Sequence, residues 1–336
     1  MTTITLSRQR HRLIADCLAD RVEPIARSQR FTIYNIDPEE SARSKFPDPG
    51  DIVVVHDFMP HEIDNNIARF VADELVPLLV PSPQSGQVAH CATREQQVFE
   101  HFVGEIVRSM DGNSRDAWHL FYDNTLAAMQ KADQQDGGAN GGNTPPQDFI
   151  ADFAAIYRRV ADLVAEVAPA TLFDAATCFG FLPLLLASDH WIDRSNGQWP
   201  CRVFACDINP ALVSLAEGYA RYRQMTNVRF VLADILARDM AHELAPLAAS
   251  FDVVTAIHLL EHLEPDQTAA AVDALWSLAR QRLIIAVPVE KVPDARFGHR
   301  QVFVPESLGA LGQRTDGAWH GFEDHGAWLV VDRTQN

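Results

Sequence analysis

Thr171-Leu-Phe-Asp-Ala-Ala-Thr-Cys-Phe-Gly-Phe-Leu-Pro-Leu-Leu-Leu186 decides how this chain folds. An apolar run reaches Asp174, turns through small residues to Gly180, and passes into a leucine-rich helix. A strand–loop–helix unit of this kind brings backbone close to a nucleotide-like ligand at the carboxyl end of a parallel strand. One such unit is a weak signal; three more strand ends follow in order, each with a polar residue where that ligand needs one. Outward from it, strands are expected at 171–174, 202–207, 228–232, 251–257 and 283–287, with helices at 149–167, 182–187, 210–224 and 268–280. The alternation predicts an α/β fold, a doubly wound parallel sheet with right-handed crossovers. Residues 319–322 and 327–332 flank Glu323-Asp-His-Gly326 and read as a closing β-hairpin.

The 336 residues are enough for a large core and two domains. Apolar residues make up 47% and charged residues 22%, as in folded globular proteins. Against 28 Lys and Arg stand 45 Asp and Glu, a formal charge of −17. That balance argues against a broad phosphate-tracking surface, so nucleic acid is not the expected partner and a small molecule or glycan is. The cysteines Cys17, Cys91, Cys178, Cys201 and Cys206 form no CxxC pair, which suits free thiols in a reducing cytoplasm. With no signal-peptide core at the start and no segment of membrane-spanning length, the expectation is a cytoplasmic protein away from membranes.

Lys131-Ala-Asp-Gln-Gln-Asp-Gly-Gly-Ala-Asn-Gly-Gly-Asn-Thr-Pro-Pro-Gln147 supplies almost nothing to bury and reads as a linker, placing a flexible boundary at 131–148. Before it, 1–130 is expected to be a mainly helical domain, with helices at 4–21, 63–79 and 95–110 and two short apolar runs at 31–36 and 51–56. Its expected role is a lid, a substrate domain or a homodimer contact. The aromatic stretch Trp118-His-Leu-Phe-Tyr-Asp-Asn-Thr-Leu126 is either core packing or a wall of a substrate pocket.

The second strand end, Val203-Phe-Ala-Cys-Asp-Ile-Asn-Pro210, puts Asp207 where a carboxylate can accept both hydroxyls of a ribose, with Ile208 beside it. The third, Phe230-Val-Leu-Ala-Asp-Ile-Leu236, places Asp234 and Ile235 near an adenine edge. The fourth is Phe251-Asp-Val-Val-Thr-Ala-Ile-His-Leu-Leu-Glu-His-Leu263. Any one of these acids is as readily a cap or turn residue. Four strand ends in the right order make a shared coincidence improbable.

Together these segments, over 149–332, resemble the class I S-adenosylmethionine-dependent methyltransferases, whose seven-stranded Rossmann-like sheet ends in such a hairpin. The resemblance implies S-adenosyl-L-methionine as cofactor. Asp174, Ala176 and Gly180 would enclose its methionine part, Asp207 and Ile208 the ribose, Asp234 and Ile235 the adenine, and Ile257 with His258 would border the transferred methyl. The chain departs from the pattern at Ala176, usually Gly, and at Cys178, often Gly. Both residues are small but disfavour positive φ, which bears on loop geometry and cofactor affinity.

His258-Leu-Leu-Glu-His262 follows the fourth strand. In a helix, His258, Glu261 and His262 would share one face and could hold a divalent ion. The bare pattern matches an inverted zinc-peptidase motif, but the surrounding nucleotide-binding sheet does not suit that chemistry. Small-RNA 2′-O-methyltransferases and the O-methyltransferases of ubiquinone synthesis have a related acidic-x-x-Glu-His run. In the RNA enzymes a later His completes a magnesium or manganese site, and His299 in Phe297-Gly-His-Arg-Gln-Val-Phe303 stands in the corresponding place. His258 replaces their Glu and makes the donor set softer. The plain alternative is that Glu261 and His262 pack and cap; His258 or His262 is then the candidate general base. His320 and His325, in the hairpin, are read as structural or rim residues.

An alcohol attacks a sulfonium methyl only as it gains alkoxide character, so a histidine-rich pocket fits O-methylation better than N- or C-methylation. A metal site would favour a vicinal diol, hence a sugar. The wording Phe179-Gly-Phe-Leu-Pro-Leu-Leu-Leu186, with Val287-Pro-Val-Glu290 and Phe297-Gly-His299, is similar to a branch that includes the methyltransferase of the oligoglucose chain of mycofactocin. Competing readings are a nicotinamide-dependent oxidoreductase, which normally carries a fuller Gly-x-Gly-x-x-Gly loop, and a non-catalytic protein that keeps the fold.

Overall fold

The computed structural model describes residues 3–35, 52–80, 88–135, 148–188, 201–237 and 251–334. It divides into two compact units: Met1–Ala128 with Gly142–Ile150 and Ala295–Gly298, and Met129–Gly141 with Ala151–Asp294 and His299–Asn336.

In the first unit β1 (Ile4–Ser7), α1 (Arg12–Arg21), β2 (Ala26–Arg27), β3 (Phe31–Asn35) and β4 (Ile52–His56) precede three consecutive helical pieces, Asn66–Phe70, Val71–Leu75 and Val76–Leu79, and two long helices, α2 (Val88–Ser109) and α3 (Ser114–Gln135). Helices dominate, but the strands form a four-stranded sheet in the order β1-β4-β3-β2. The expected helix over 4–21 is therefore corrected. Ile4–Ser7 lies parallel to Val53–His56 as an edge strand, and the helix begins only at Arg12. The apolar run on β4 offers ladder partners that outweigh the weak helical period of the first turn. α3 continues to Gln135, five residues into the segment expected as linker; residues 136–147 lie outside the described residues. The aromatics Trp118, Phe121 and Tyr122 are buried, and Trp118 meets Phe121 edge-on at 5.3 Å, as core packing requires.

His56 closes β4 fully buried, its Nε2 2.7 Å from Ser109 Oγ. Because the Ser109 hydroxyl donates to the Ile106 carbonyl, the ring must be the donor in that bond, which leaves Nδ1 unprotonated and without a hydrogen-bond partner among the described residues.

The second unit holds the expected sheet. Helix α4 (Phe149–Val167) leads to β5 (Thr171–Ala175), α5 (Phe181–Leu186), β6 (Arg202–Asp207), α6 (Pro210–Tyr222), β7 (Val228–Leu232), β8 (Phe251–Ile257), α7 (Thr268–Leu278), β9 (Ala279–Val287), α8 (Pro305–Gly312) and the hairpin β10 (Ala318–Glu323) and β11 (Ala327–Asp332). The strand order is β10-β11-β9-β8-β5-β6-β7. β7, β6, β5, β8 and β9 are parallel, and β11 runs antiparallel to both β9 and β10. β5 and β8 are buried along nearly their whole length, so their apolar runs are continuous rather than alternating. Phe173 and Phe251 stack across them at 4.9 Å. Winding runs outward in opposite directions from β5, so the crossovers from β5 and β8 part, and a crevice opens at their carboxyl ends.

Burial pushes the His56 imidazole down to about 3, with His11 adding a smaller repulsion. A lowered histidine is neutral in the fold while the unfolded chain takes up a proton, so stability is whole above about pH 6.5 and falls as pH drops towards 3. His56→Gln, which keeps a donor towards Ser109, is expected to flatten that part of the urea-midpoint profile between pH 7 and 4; an unchanged profile would contradict it.

Candidate active site

β5 delivers Asp174 to the crevice at 3% exposure. Its Oδ1 accepts from the Thr255 hydroxyl on neighbouring β8 at 2.6 Å. Burial pushes this carboxyl up to about 6, with the Asp207 charge adding and the Thr255 and Thr177 hydroxyls opposing. The phenol of Tyr157, on α4, is also raised well above its ordinary value, first by burial and then by Asp174 and Cys178.

The loop after β5 alternates left-handed residues: Ala176 at φ 56°, Cys178 at 53° and Gly180 at 74°. The departures from glycine have therefore left the backbone conformation that glycine favours in place, at a strain of about 1–2 kcal/mol for each non-glycine residue. Bonds to β6 hold it: Thr177 N–H donates to the Cys206 carbonyl at 2.9 Å and Cys178 N–H to Asp207 Oδ2 at 2.8 Å. Gly180 has no substitute, because a Cβ there would stand 2.6 Å from Phe230 Cε1 and 3.1 Å from Ala216 Cβ.

Asp207 ends β6, buried, and accepts from Cys178 N–H and Asn209 N–H through different oxygens. Burial raises it, while those amides and the nearby His262 pull it down. Each oxygen keeps a lone pair for a ligand hydroxyl. Ile208, 71% exposed, lies beside it as an uncovered apolar surface. Asp234 is exposed and accepts from Leu236 N–H at 2.8 Å, an ordinary turn bond. Ile235, by contrast, belongs to the buried core of the sheet, so its side chain is not presented at a ligand surface. Ile257 is half-buried at the end of β8.

The expected helical face after β8 does not form. His258 takes φ 56°, its N–H bonds the Ala286 carbonyl, and only Leu260–His262 make a single 3-10 turn. The left-handed residue breaks the helix before it starts. His258 Nδ1 lies 3.1 Å from Glu261 Oε1 without the alignment of a hydrogen bond, and its ring packs on Phe153 at 5.5 Å. Glu261 is 1% exposed, with neither carboxylate oxygen hydrogen-bonded among the described residues. A carboxylate buried in that state costs several kcal/mol unless a cation or proton meets it, roughly as for other unpaired buried charges.

Glu261, His262 and His299 each bring a ligand atom to within 4.8 Å of the others; His258 stands outside that group. The rings of His262 and His299 meet edge-on at 4.9 Å. Gln301 clamps the arrangement, its Nε2 donating to the carbonyls of Leu260 and Leu263 and to Thr268 Oγ1, while Arg300 N–H donates to the Glu261 carbonyl at 2.7 Å. The orphaned carboxylate and two imidazoles fit a divalent ion, and this N,N,O set suits manganese, iron or zinc better than magnesium. His320 and His325 lie exposed in the β10–β11 hairpin, His325 bonded to Asp324, as rim residues do. Thr255, Gln301 and Glu290, which bonds His299, were not legible as site residues, because each acts through a contact with another segment.

Residues 174–282 match the family model described as a methyltransferase domain. The chain is similar in structure to human N-acetylserotonin methyltransferase in complex with SAM, at 10% identity and TM-score 0.47 over 98% of this chain and 84% of that one. An O-methyltransferase family protein from Burkholderia thailandensis matches at 14% identity and TM-score 0.43, over 82% and 94%. The methyltransferase domain of bacterial CtHen1-CN matches at 15% identity and TM-score 0.42, over 54% and 99%. No curated protein sequence matches the chain. The seven-stranded sheet has the doubly wound methyltransferase fold, and the matched region runs from β5 into β9 of it. Residues 174–282 thus carry an S-adenosylmethionine-dependent methyltransferase domain. Among the described residues no helix is long and apolar enough to cross a membrane.

Gly180→Ala is expected to destabilise the fold by about 2 kcal/mol or more, from left-handed strain and overlap with Phe230, and to weaken S-adenosylhomocysteine binding in calorimetry. Asp174 gives a pH signature of opposite sign to that of His56. A raised carboxyl holds its proton in the fold, so wild-type stability falls as pH rises from about 4 to 6 and stays lower above. Asp174→Asn should remove that slope and exceed wild type by about 2–3 kcal/mol at pH 8 while equalling it near pH 4, measured by denaturant titration without cofactor.

Proposed function

We propose that the chain transfers the methyl group of S-adenosylmethionine to a hydroxyl of a sugar, an oligosaccharide or a glycosylated small molecule. The resemblance to the mycofactocin branch suggests its oligoglucose chain as the particular acceptor. The buried Glu261 carboxylate, without a hydrogen-bond partner among the described residues and beside His262 and His299, carries this reading, because a divalent ion there has a purpose when the acceptor offers neighbouring hydroxyls.

Bound S-adenosylmethionine supplies a methyl on a positively charged sulfur. Asp174 and the left-handed loop 176–180 would enclose its methionine part, Asp207 with Ile208 beside it would hold the ribose, and Asp234 would accept at the adenine amino edge. Glu261, His262 and His299 would hold a divalent ion, whose positive charge would favour the alkoxide form of an acceptor hydroxyl. His258, half-buried on Phe153 next to the end of β8, would take the acceptor's proton. Alignment of acceptor and methyl in a closed crevice supplies up to about 7–11 kcal/mol in the best cases. The same reading gives 1–130 to acceptor binding or to homodimer contact.

The test is incubation of methyl-labelled donor with purified glucose oligosaccharides and with a host metabolite extract, with labelled products read by mass spectrometry. Labelled sugar is expected; label only on amines or carbon would overturn the acceptor class. Glu261→Ala and His262→Ala should each lower turnover by roughly 10²-fold or more with S-adenosylhomocysteine affinity near wild type. Wild-type turnover after exhaustive chelation would remove the ion and leave histidine base catalysis.

A further inference from the structure

We propose that Glu290 is a positioning residue that fixes the ring of His299 for the divalent-ion site. This rests on the ion reading given above. Glu290 lies three residues past the end of β9, after Pro288, whose ring restricts the backbone that carries it. Both of its carboxylate oxygens lie within 3.0 Å of His299 Nδ1, at 3.0 and 2.9 Å. The His299 side chain is 8% exposed, so the pair is held largely out of water.

A carboxylate only accepts, so Nδ1 must carry the proton and donate, and in the neutral ring Nε2 is then the nitrogen with a lone pair. An imidazole without such a partner divides between two tautomers and two ring orientations. With Glu290 in place, one state presents its lone pair, and the carboxylate makes that nitrogen a better donor to a cation. Glu290 comes from the end of β9 and Glu261 and His262 from the turn after neighbouring β8, so two adjacent strand ends set the cluster. Gln301 and Arg300 hold the turn itself, which leaves the His299 ring as the part that Glu290 has to orient.

The experiment titrates Mn²⁺ into the full-length protein without donor or acceptor, by electron paramagnetic resonance of free manganese. It compares wild type, Glu290→Ala, Glu290→Gln and Glu261→Ala. Nitrogen-15 NMR of the wild-type histidines, with His299→Gln used for assignment, reads the His299 tautomer. Expected are an Nδ1-protonated His299, loss of Mn²⁺ binding in Glu261→Ala, a Kd raised about 10–100-fold in Glu290→Ala, and a smaller rise in Glu290→Gln, which still accepts from Nδ1–H. Equal affinity in Glu290→Ala and wild type, with Glu261→Ala defective, would overturn the role of Glu290 and leave the ion site standing. No Mn²⁺ binding by wild type would overturn the ion site and this inference with it. Should Glu290→Ala fail to fold, the wild-type tautomer decides: an Nε2-protonated His299 overturns the proposal.

Discussion

The hydrogen bond from Cys178 N–H to Asp207 Oδ2, 2.8 Å long, joins the loop after β5 to the end of β6. Through it, β5, which borders the point where the winding reverses, shares one polar edge with its neighbour β6. The bond holds Cys178 in the left-handed region without a glycine, and it turns the Asp207 carboxylate along the rim of the crevice. With the bond from Thr177 N–H to the Cys206 carbonyl, it offsets the strain at Ala176 and Cys178, about 1–2 kcal/mol each.

Carboxylates accumulate at this edge. Asp174, Asp207 and Glu261 are all buried, and burial raises the first two. Among the described residues none of the three pairs with an arginine or lysine, and a cationic ligand relieves desolvated acids of this kind. Under the proposed reading, a sulfonium near Asp174 and a divalent ion at Glu261 would be two such ligands. The chain's formal charge of −17 reinforces that preference and works against a polyanionic acceptor.

Much of this was legible in the sequence, for reasons tied to particular elements. Strands β5, β6 and β8 are apolar runs that end on an acid or a histidine, and a run buried on both faces leaves little ambiguity. The closing hairpin showed through its turn residues. The first strand did not, because Ile4–Ser7 becomes a strand only by pairing with β4, some fifty residues later. His258 misled for a different reason: three- and four-residue spacing promises a helical face, yet a single positive φ separates it from Glu261 and His262. Asp234 and Ile235 were read as one pair, whereas the turn after β7 exposes the first and buries the second. Glu290 and Gln301 act by reaching another strand end or turn, and such contacts have no local signature.

One measurement bears most directly on the convergence of strand ends on a single adenosine: calorimetric titration of S-adenosylhomocysteine and, separately, NADH into wild type and Asp207→Ala. One S-adenosylhomocysteine site per chain, weakened roughly 10²-fold by Asp207→Ala through loss of hydrogen bonds to a charged acceptor, and no NADH binding, is the predicted result. Absence of S-adenosylhomocysteine binding, or equal affinity in the two proteins, would contradict the account.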